Sequence, residues 1–297
     1  MDNRIKTELL RQHIERIATT PRPAESEELV RARAYVTDKF NDYGWEVQPV
    51  PFQASDSMLT TLQGINLVAT HPDCSTKNSK RPCYCVGAHL DSRSESPGAD
   101  DNGSAVAALL ELARLVPQML SEQPACGLQL VAFDLEENGM LGGAFHAEVC
   151  RQEAVDLRGM VSLEMLGYAD ATPGSQKLPK PLVGMYPDTG DFIAVIGNQN
   201  STTFIQQFAA GLQRIDKLPV ETLQVPDNGN LLQATRLSDH SPFWDAGYPA
   251  LMITDTSFLR NPHYHLASDI IDTLDFSFLE KVTAGCLQAV LDLITSE

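Results

Sequence analysis

Six short segments of the chain place acidic and imidazole side chains beside apolar runs. VGAHLDS carries His89 and Asp91, PGADDNGSA carries Asp100, Asp101 and Asn102, and FDLEENGMLGG carries the adjacent pair Glu136 and Glu137. SLEMLGY carries Glu164, SDHSPFWDAGYPA carries Ser238 and His240, and NPHYHLASD carries His263, Tyr264 and His265. Carboxylates gathered in one place repel, and some take up protons unless a cation sits among them. A divalent metal resolves that conflict, because zinc accepts imidazole nitrogen and carboxylate oxygen at about 2.0–2.2 Å. Two metals about 3.5–4 Å apart, bridged by a carboxylate and a water, make a recurrent hydrolytic site. The chemistry within reach of these residue types is therefore metal-assisted hydrolysis, with a glutamate as general base.

Each segment also fits a plainer role. His89 and Asp91 form an H-x-D pattern in which Asp91 could orient a metal-bound His89, or the two are a strand-end histidine and a turn residue. Asp100, Asp101 and Asn102 suit a helix N-cap as well as a bridging ligand. Adjacent side chains leaving a strand diverge, so one of Glu136 and Glu137 can bind a metal while the other faces the bound water; a solvated acidic loop is the alternative. Glu164, flanked by Leu163 and Met165, needs a partner if buried, and a salt bridge would serve as well as a metal. His263 and His240 compete with His265 for any histidine role, and Tyr264 could simply pack. Arg93 and Arg260 lie near these segments and are candidates for binding a substrate carboxylate, or are solvated.

The elements that must position these groups follow from periodicity. Helical patterns cover residues 5–18 and 25–43, followed by strand-like runs at 45–52 and 64–70, a polar stretch at 71–81 and a strand at 83–88. A helix at 104–116 is expected to end at Pro117. Strands at 128–135 and 159–163 flank a helix at 141–149, and a Pro- and Gly-rich loop spans 169–191. Strands at 192–196, 220–225 and 248–254 and helices at 203–215 and 274–295 complete the chain. Strands alternating with helices imply an α/β three-layer sandwich, with a mixed, mostly parallel central sheet flanked by helices. In such sheets ligands bind beyond the carboxyl ends of the strands, and the chemistry-bearing segments fall at strand exits or in the turns that follow.

Composition narrows the partners. The chain has 297 residues, 43% hydrophobic and 21% charged, with a formal net charge of −17. Such a surface repels phosphate backbones, so nucleic acid is not an expected partner. No apolar run is long enough to span a bilayer, and the amino-terminal stretch reads as an amphipathic helix rather than a signal peptide. A cytoplasmic location without membrane association is the expectation. The six cysteines are expected to be buried thiols, with Cys83 and Cys85 assigned to opposite faces of their strand. They are left out of the chemistry.

In this order, the six segments resemble the co-catalytic zinc aminopeptidase family, whose relatives include glutamate carboxypeptidase and glutaminyl cyclase. The resemblance runs from about the first strand to the carboxyl terminus. It implies one zinc-exopeptidase catalytic domain over residues 1–297, two zinc ions, and peptide substrates with a free amino terminus. It further implies that His89, Asp101, Glu137, Glu164 and His265 are metal ligands, with Asp101 bridging and the Asp101–Asn102 peptide cis. Glu136 is implied as general base, and Tyr264 as a hydrogen-bond donor to the scissile carbonyl. Asp91 and Ser238 are implied as supports behind the ligands. Glu164 stands where the family often has aspartate. Carboxypeptidase or cyclase activity in the same site, or a binding relative that has lost catalysis, remain the alternatives.

Overall fold

A computed structural model describes residues 4–74 and 81–296. The expected polar stretch at 71–81 therefore lies partly outside the described residues.

Two helices lead, α1 (Thr7–Ile17) and α2 (Glu27–Asp42). In α1 the apolar residues Leu10, Ile14 and Ile17 recur at helical spacing and are buried with His13, as an amphipathic stripe requires. In α2 the Ser26 side chain accepts the Leu29 amide, and Glu27 and Glu28 occupy the first turn, where acids favour the helix start. Strands β1 (Glu46–Ser55), β2 (Thr61–Thr70) and β3 (Cys83–His89) follow, then α3 (Ala105–Met119), β4 (Gly127–Phe133), α4 (Leu141–Gln152) and β5 (Leu157–Glu164). The remainder is β6 (Ile193–Asn198), α5 (Thr202–Leu212), β7 (Val220–Val225), α6 (His240–Asp245), β8 (Ala250–Thr254) and α7 (Phe276–Thr295).

The eight strands form one sheet in the order β1-β2-β4-β3-β5-β8-β6-β7. The four central strands β4-β3-β5-β8 are mutually parallel, as is the β6/β7 pair, whereas β1/β2, β2/β4 and β8/β6 are antiparallel. Helices α1, α2, α3, α5 and α7 cover one face over the larger core, and α4 and α6 cover the other. The expected three-layer α/β sandwich is therefore the architecture observed. From β3 the chain crosses to β4 on one side and then to β5 on the other, which opens a crevice at the carboxyl ends of these strands.

Helix α3 is apolar around almost its whole circumference and buried throughout its first three turns, because it is wedged between the sheet and helices α1 and α7. It carries Pro117 within its last turn and runs on to Met119, rather than stopping as the sequence suggested. A proline this close to the end removes only its own amide from the ladder, and Leu120 still donates to the Val116 carbonyl at 3.3 Å. Helix α6, a six-residue segment, is too short to show helical periodicity. All six cysteines are free and buried. Cys83 and Cys85 pack on the same face, correcting their assignment to opposite faces: strand side chains alternate, so residues two apart share a side. No helix among the described residues is long and apolar enough to cross a membrane.

His146 on α4 sits between the rings of Phe133 and Phe243, at centroid distances of 5.9 and 6.2 Å. Burial pushes its pKa down to about 4. A folded-state pKa below the unfolded one contributes stability that is present above the unfolded value near 6.5 and is lost as pH falls through 4. Between pH 6 and 4.5 the slope of unfolding free energy against pH should therefore be shallower in His146→Leu, by up to about 1.4 kcal/mol per pH unit. Urea unfolding of both proteins across that range measures the difference, and parallel slopes would show that His146 does not titrate on unfolding.

Candidate metal centre

The predicted ligands converge. His89 is the last residue of β3 and Glu164 the last of β5. Glu136 and Glu137 leave β4 three and four residues past its end, Asp101 lies in the turn between β3 and α3, and His265 lies in the loop between β8 and α7. Two groups of three side chains bring their ligand atoms within 4.8 Å of one another: His89, Asp101 and Glu164, and Asp101, Glu137 and His265. Asp101 belongs to both. Its Oδ1 stands 3.3 Å from His89 Nε2 and its Oδ2 3.2 Å from His265 Nε2, so its two oxygens face different histidines. Glu164 Oε2 lies 3.5 Å from His89 Nε2, and Glu137 Oε2 lies 3.2 Å from His265 Nε2.

These separations suit donors gathered around a cation. A tetrahedron with bonds of about 2.1 Å has edges of about 3.4 Å. The atoms are also poorly served without one. His89 Nε2, Asp101 Oδ2 and Glu137 Oε1 are buried and have no hydrogen-bond partner among the described residues, and each such atom costs its full desolvation. Imidazole and carboxylate donors are what zinc accepts, so the residues present fit the ion.

Proton affinities show the same crowding. Burial raises the Glu136 carboxyl well above its ordinary range, and the charges of Glu164 and Glu137 add to this against the opposing pull of His89. Burial disfavours a charged His89, but the Glu136 and Glu164 carboxylates outweigh it and hold the imidazole pKa well above its usual value. For His265 burial is likewise overcome, by contact with Asp101 and Glu137, and its pKa rises to about 9. The two histidines act as the cluster's own cations.

Backbone clamps hold the ligands in place. Asp91, expected to orient His89, keeps its carboxylate beside that ring, and its two oxygens also accept the amides of Glu136 and Glu137, both at 3.1 Å. His89 Nδ1 is nearer the Asp91 carbonyl, at 3.2 Å, than its carboxylate, at 3.7 Å. Ser238 donates to Glu164 Oε2 at 2.7 Å and pairs with Ser162 at 2.7 Å. The Asp101–Asn102 peptide is cis, and the Asn102 side chain bonds Leu163 O and Met165 N, both at 2.9 Å. Leu135, Met165 and His265 adopt φ of 57°, 47° and 60°, left-handed backbone that persists where surrounding contacts over-determine it.

Two supports escaped the sequence reading. Asp269 accepts the amides of Asp100 and Asp101, at 2.9 and 3.1 Å. Arg22, fully buried, donates to the carbonyls of Leu90, Pro97 and Gly98. Gly98 itself has φ 63°, and a Cβ there would meet Asp101 O at 2.1 Å. The acid of NPHYHLASD was in view, but nothing local distinguishes Arg22, which acts across about seventy residues of chain.

Other candidates fall away from the centre. His240 is buried in α6 with Nε2 2.9 Å from Thr235 O, and His263 pairs with Ser268 at 2.9 Å. Arg260 is buried, donates to Gln176 and Tyr168, and lies over the Phe192 ring, so it does not face substrate as a free cation. Arg93 stands at the mouth with Nε 2.8 Å from Glu137 Oε2. Tyr264 also lines the mouth and stacks on His265 at a centroid distance of 3.7 Å. Burial, then the nearby carboxylates, raise its hydroxyl pKa, which keeps it a hydrogen-bond donor.

Comparison with known proteins places the chain in a family. A model of peptidase family M28 matches residues 66–290. The uncharacterized protein YfbL of Escherichia coli K12 is 36% identical over 282 residues, covering 90% of this chain and 81% of that one. Leucine aminopeptidase 1 of Blastomyces gilchristii is 28% identical over 236 residues, 74% of this chain but only 54% of its own length, so the chain spans about half of that relative. Among solved structures, an aminopeptidase from Aneurinibacillus sp. strain AM-1 superposes with a TM-score of 0.75 at 18% identity, covering 97% of this chain and 94% of that one. Glutaminyl cyclase of Porphyromonas gingivalis superposes equally well, with a TM-score of 0.74 at 17% identity and coverage of 99% and 100%. At such identities the likeness is one of fold.

Asp101 serves both triads and His265 one. Asp101→Asn is therefore expected to weaken divalent-metal binding more than His265→Ala, and each by more than about 100-fold. Equilibrium dialysis against Co2+ with elemental analysis measures this; an affinity unchanged in His265→Ala would remove that residue from the ligand set.

Proposed function

The chain belongs to peptidase family M28, and on that premise we propose that it is a zinc-dependent aminopeptidase that removes amino-terminal residues from peptides. The observation that carries the reading is the pair of triads sharing Asp101, a donor arrangement for two ions rather than one. The leucine aminopeptidase named among its relatives supports the same reading. In this proposal His89, Asp101 and Glu164 hold one zinc, and Asp101, Glu137 and His265 the other.

When bound, divalent ions supply Lewis acidity toward the scissile carbonyl and lower the pKa of water toward about 7. Glu136 is the mouth carboxylate that belongs to neither triad, and its backbone is pinned by Asp91. It takes the proton of the attacking water and returns it to the departing amine. Its raised pKa falls again once cations occupy the triads, toward the range a general base requires. Tyr264, with its hydroxyl kept protonated, donates to the oxyanion that forms as the carbonyl is attacked. The free α-ammonium of the substrate is drawn to the acidic mouth at Glu136 and Glu164, which supports exopeptidase action at the amino terminus. A carboxypeptidase would need a cation for the terminal carboxylate, and Arg93, already paired with Glu137, is the one arginine at this mouth.

Glu136→Gln is expected to retain its metal and lose about 10²–10⁴-fold in kcat on aminoacyl chromogenic substrates, with elemental analysis and steady-state kinetics as the two readouts. A variant that kept the wild-type rate would exclude Glu136 as the base. Chelation should abolish turnover, and amino-acetylated substrates should resist cleavage. Ammonia release from glutaminyl peptides without peptide-bond cleavage would instead identify a cyclase.

A further inference from the structure

Beside the catalytic mouth the sheet itself forms the floor of a second, partly open cavity, which shares Glu164 and Leu237 with the mouth. Two rows of paired residues cross this floor. In the first, Glu164 on β5 pairs with Thr254 on β8, Thr254 with Ala194 on β6, and Ala194 with Glu221 on β7. In the second, Ser162, Met252, Ile196 and Leu223 pair in the same succession. Strands lie about 4.8 Å apart, so three steps separate the Glu164 and Glu221 backbones by about 14 Å. Only the small side chains of Thr254 and Ala194 stand between them, and Leu182 and Tyr186 of the 169–191 segment line the cavity as well.

Among the described residues, Glu221 is the one charged side chain lining this cavity besides Glu164. It is partly buried and, among the described residues, has no hydrogen bond or ion pair. Burial raises its pKa, as expected of a carboxylate set in an apolar wall without a counterion. An unpaired acid in the wall of an apolar cavity that borders the metal centre matches a ligand with an apolar stem and a cationic tip. The two ammonium groups of an extended lysine stand about 7 Å apart, so a side chain leaving the mouth along this floor carries its cation toward Glu221, where a charge-assisted hydrogen bond of about 2.8 Å can form. The net charge of −17 favours the approach of such cationic peptides.

We propose that Glu221 selects amino-terminal lysine and arginine, whose methylenes lie along Ala194, Ile196 and Met252 while the side-chain cation reaches the Glu221 carboxylate. The inference rests on the aminopeptidase reading and names the substrate class of that site.

Norleucine matches the stem of lysine without its charge, which isolates the contribution of Glu221. The experiment measures kcat/KM of the zinc-loaded protein on lysyl, arginyl, norleucyl and leucyl amide substrates, in the wild type and in Glu221→Gln. The wild type should prefer lysyl over norleucyl by about tenfold, and the preference should shrink at high salt. In Glu221→Gln the lysyl-to-norleucyl ratio should fall about tenfold, with norleucyl turnover showing that the variant folds. Glu221→Lys should favour norleucyl over lysyl. A ratio unchanged in Glu221→Gln, or a wild-type preference for norleucyl, would overturn the role of Glu221 while leaving the aminopeptidase reading intact. Turnover of none of the four substrates would overturn the aminopeptidase reading and this inference with it.

Discussion

Carboxylate crowding at the ends of the central strands is the constraint around which this molecule is built. Asp101, Glu136, Glu137 and Glu164 meet in one mouth, and Asp91, Asp100, Asp239, Asp255 and Asp269 lie buried in the same molecule. Burial alone would drive such groups to hold protons. His89 and His265 meet part of the demand by becoming cations themselves, which is why both are harder to deprotonate than an ordinary imidazole. The buried guanidinium of Arg22 lies within the field of Asp91, Asp101, Asp269 and Glu137. What remains are His89 Nε2, Asp101 Oδ2 and Glu137 Oε1, buried without a hydrogen bond among the described residues, in a cluster whose histidine–carboxylate pairs are spaced near the edge length of a metal tetrahedron.

Holding repelling groups together requires the backbone to be fixed independently of the side chains. The structure does this with acids that bind amides and an arginine that binds carbonyls. Asp91 grips the two residues after β4, Asp269 grips the turn before α3, and Asn102 ties that turn to the end of β5. Each clamp joins segments distant in the chain, so the geometry of the mouth depends on the sheet being assembled. The left-handed backbone at Leu135 and Met165 falls just past the ends of β4 and β5, where side chains must turn away from the direction the strand would give them.

The same sheet that aligns the metal ligands also lays the floor of the neighbouring cavity, since Glu164 ends one row of that floor and contributes to one triad. Strand pairing thus links the triads to the neighbouring cavity. Two enzymes of this fold, an aminopeptidase and a glutaminyl cyclase, superpose on the chain almost equally, so the fold does not choose between such reactions. The choice lies in the donor set and in the residues bordering the mouth, many of which come from loops rather than from the sheet.

Much of the architecture and most of the mouth were legible in the sequence. The alternation of strand and helix patterns was enough for an α/β sandwich; His89, Glu136, Glu137 and Glu164 stood out because they end or follow apolar runs, and Asp101 and His265 were singled out from their neighbours by the resemblance to the zinc aminopeptidase family. Local pattern reaches only as far as neighbouring residues, and the remaining features arise from pairing across the sheet. Asp91 read as a partner of His89 because only Leu90 separates them, and β3 and β4 lie side by side and bring the amides of Glu136 and Glu137 to the same carboxylate. Arg22 and Arg260 read as ordinary charges until packing buried them, and Pro117 read as a stop until its position in the last turn made it tolerable. Composition and periodicity thus determined which side chains would leave the sheet at its carboxyl edge. Tertiary pairing decided which of them come within ligand distance of one another, which clamp the backbone, and how far Glu221 stands from Glu164, because those relations are set by strand order and register rather than by distance along the chain.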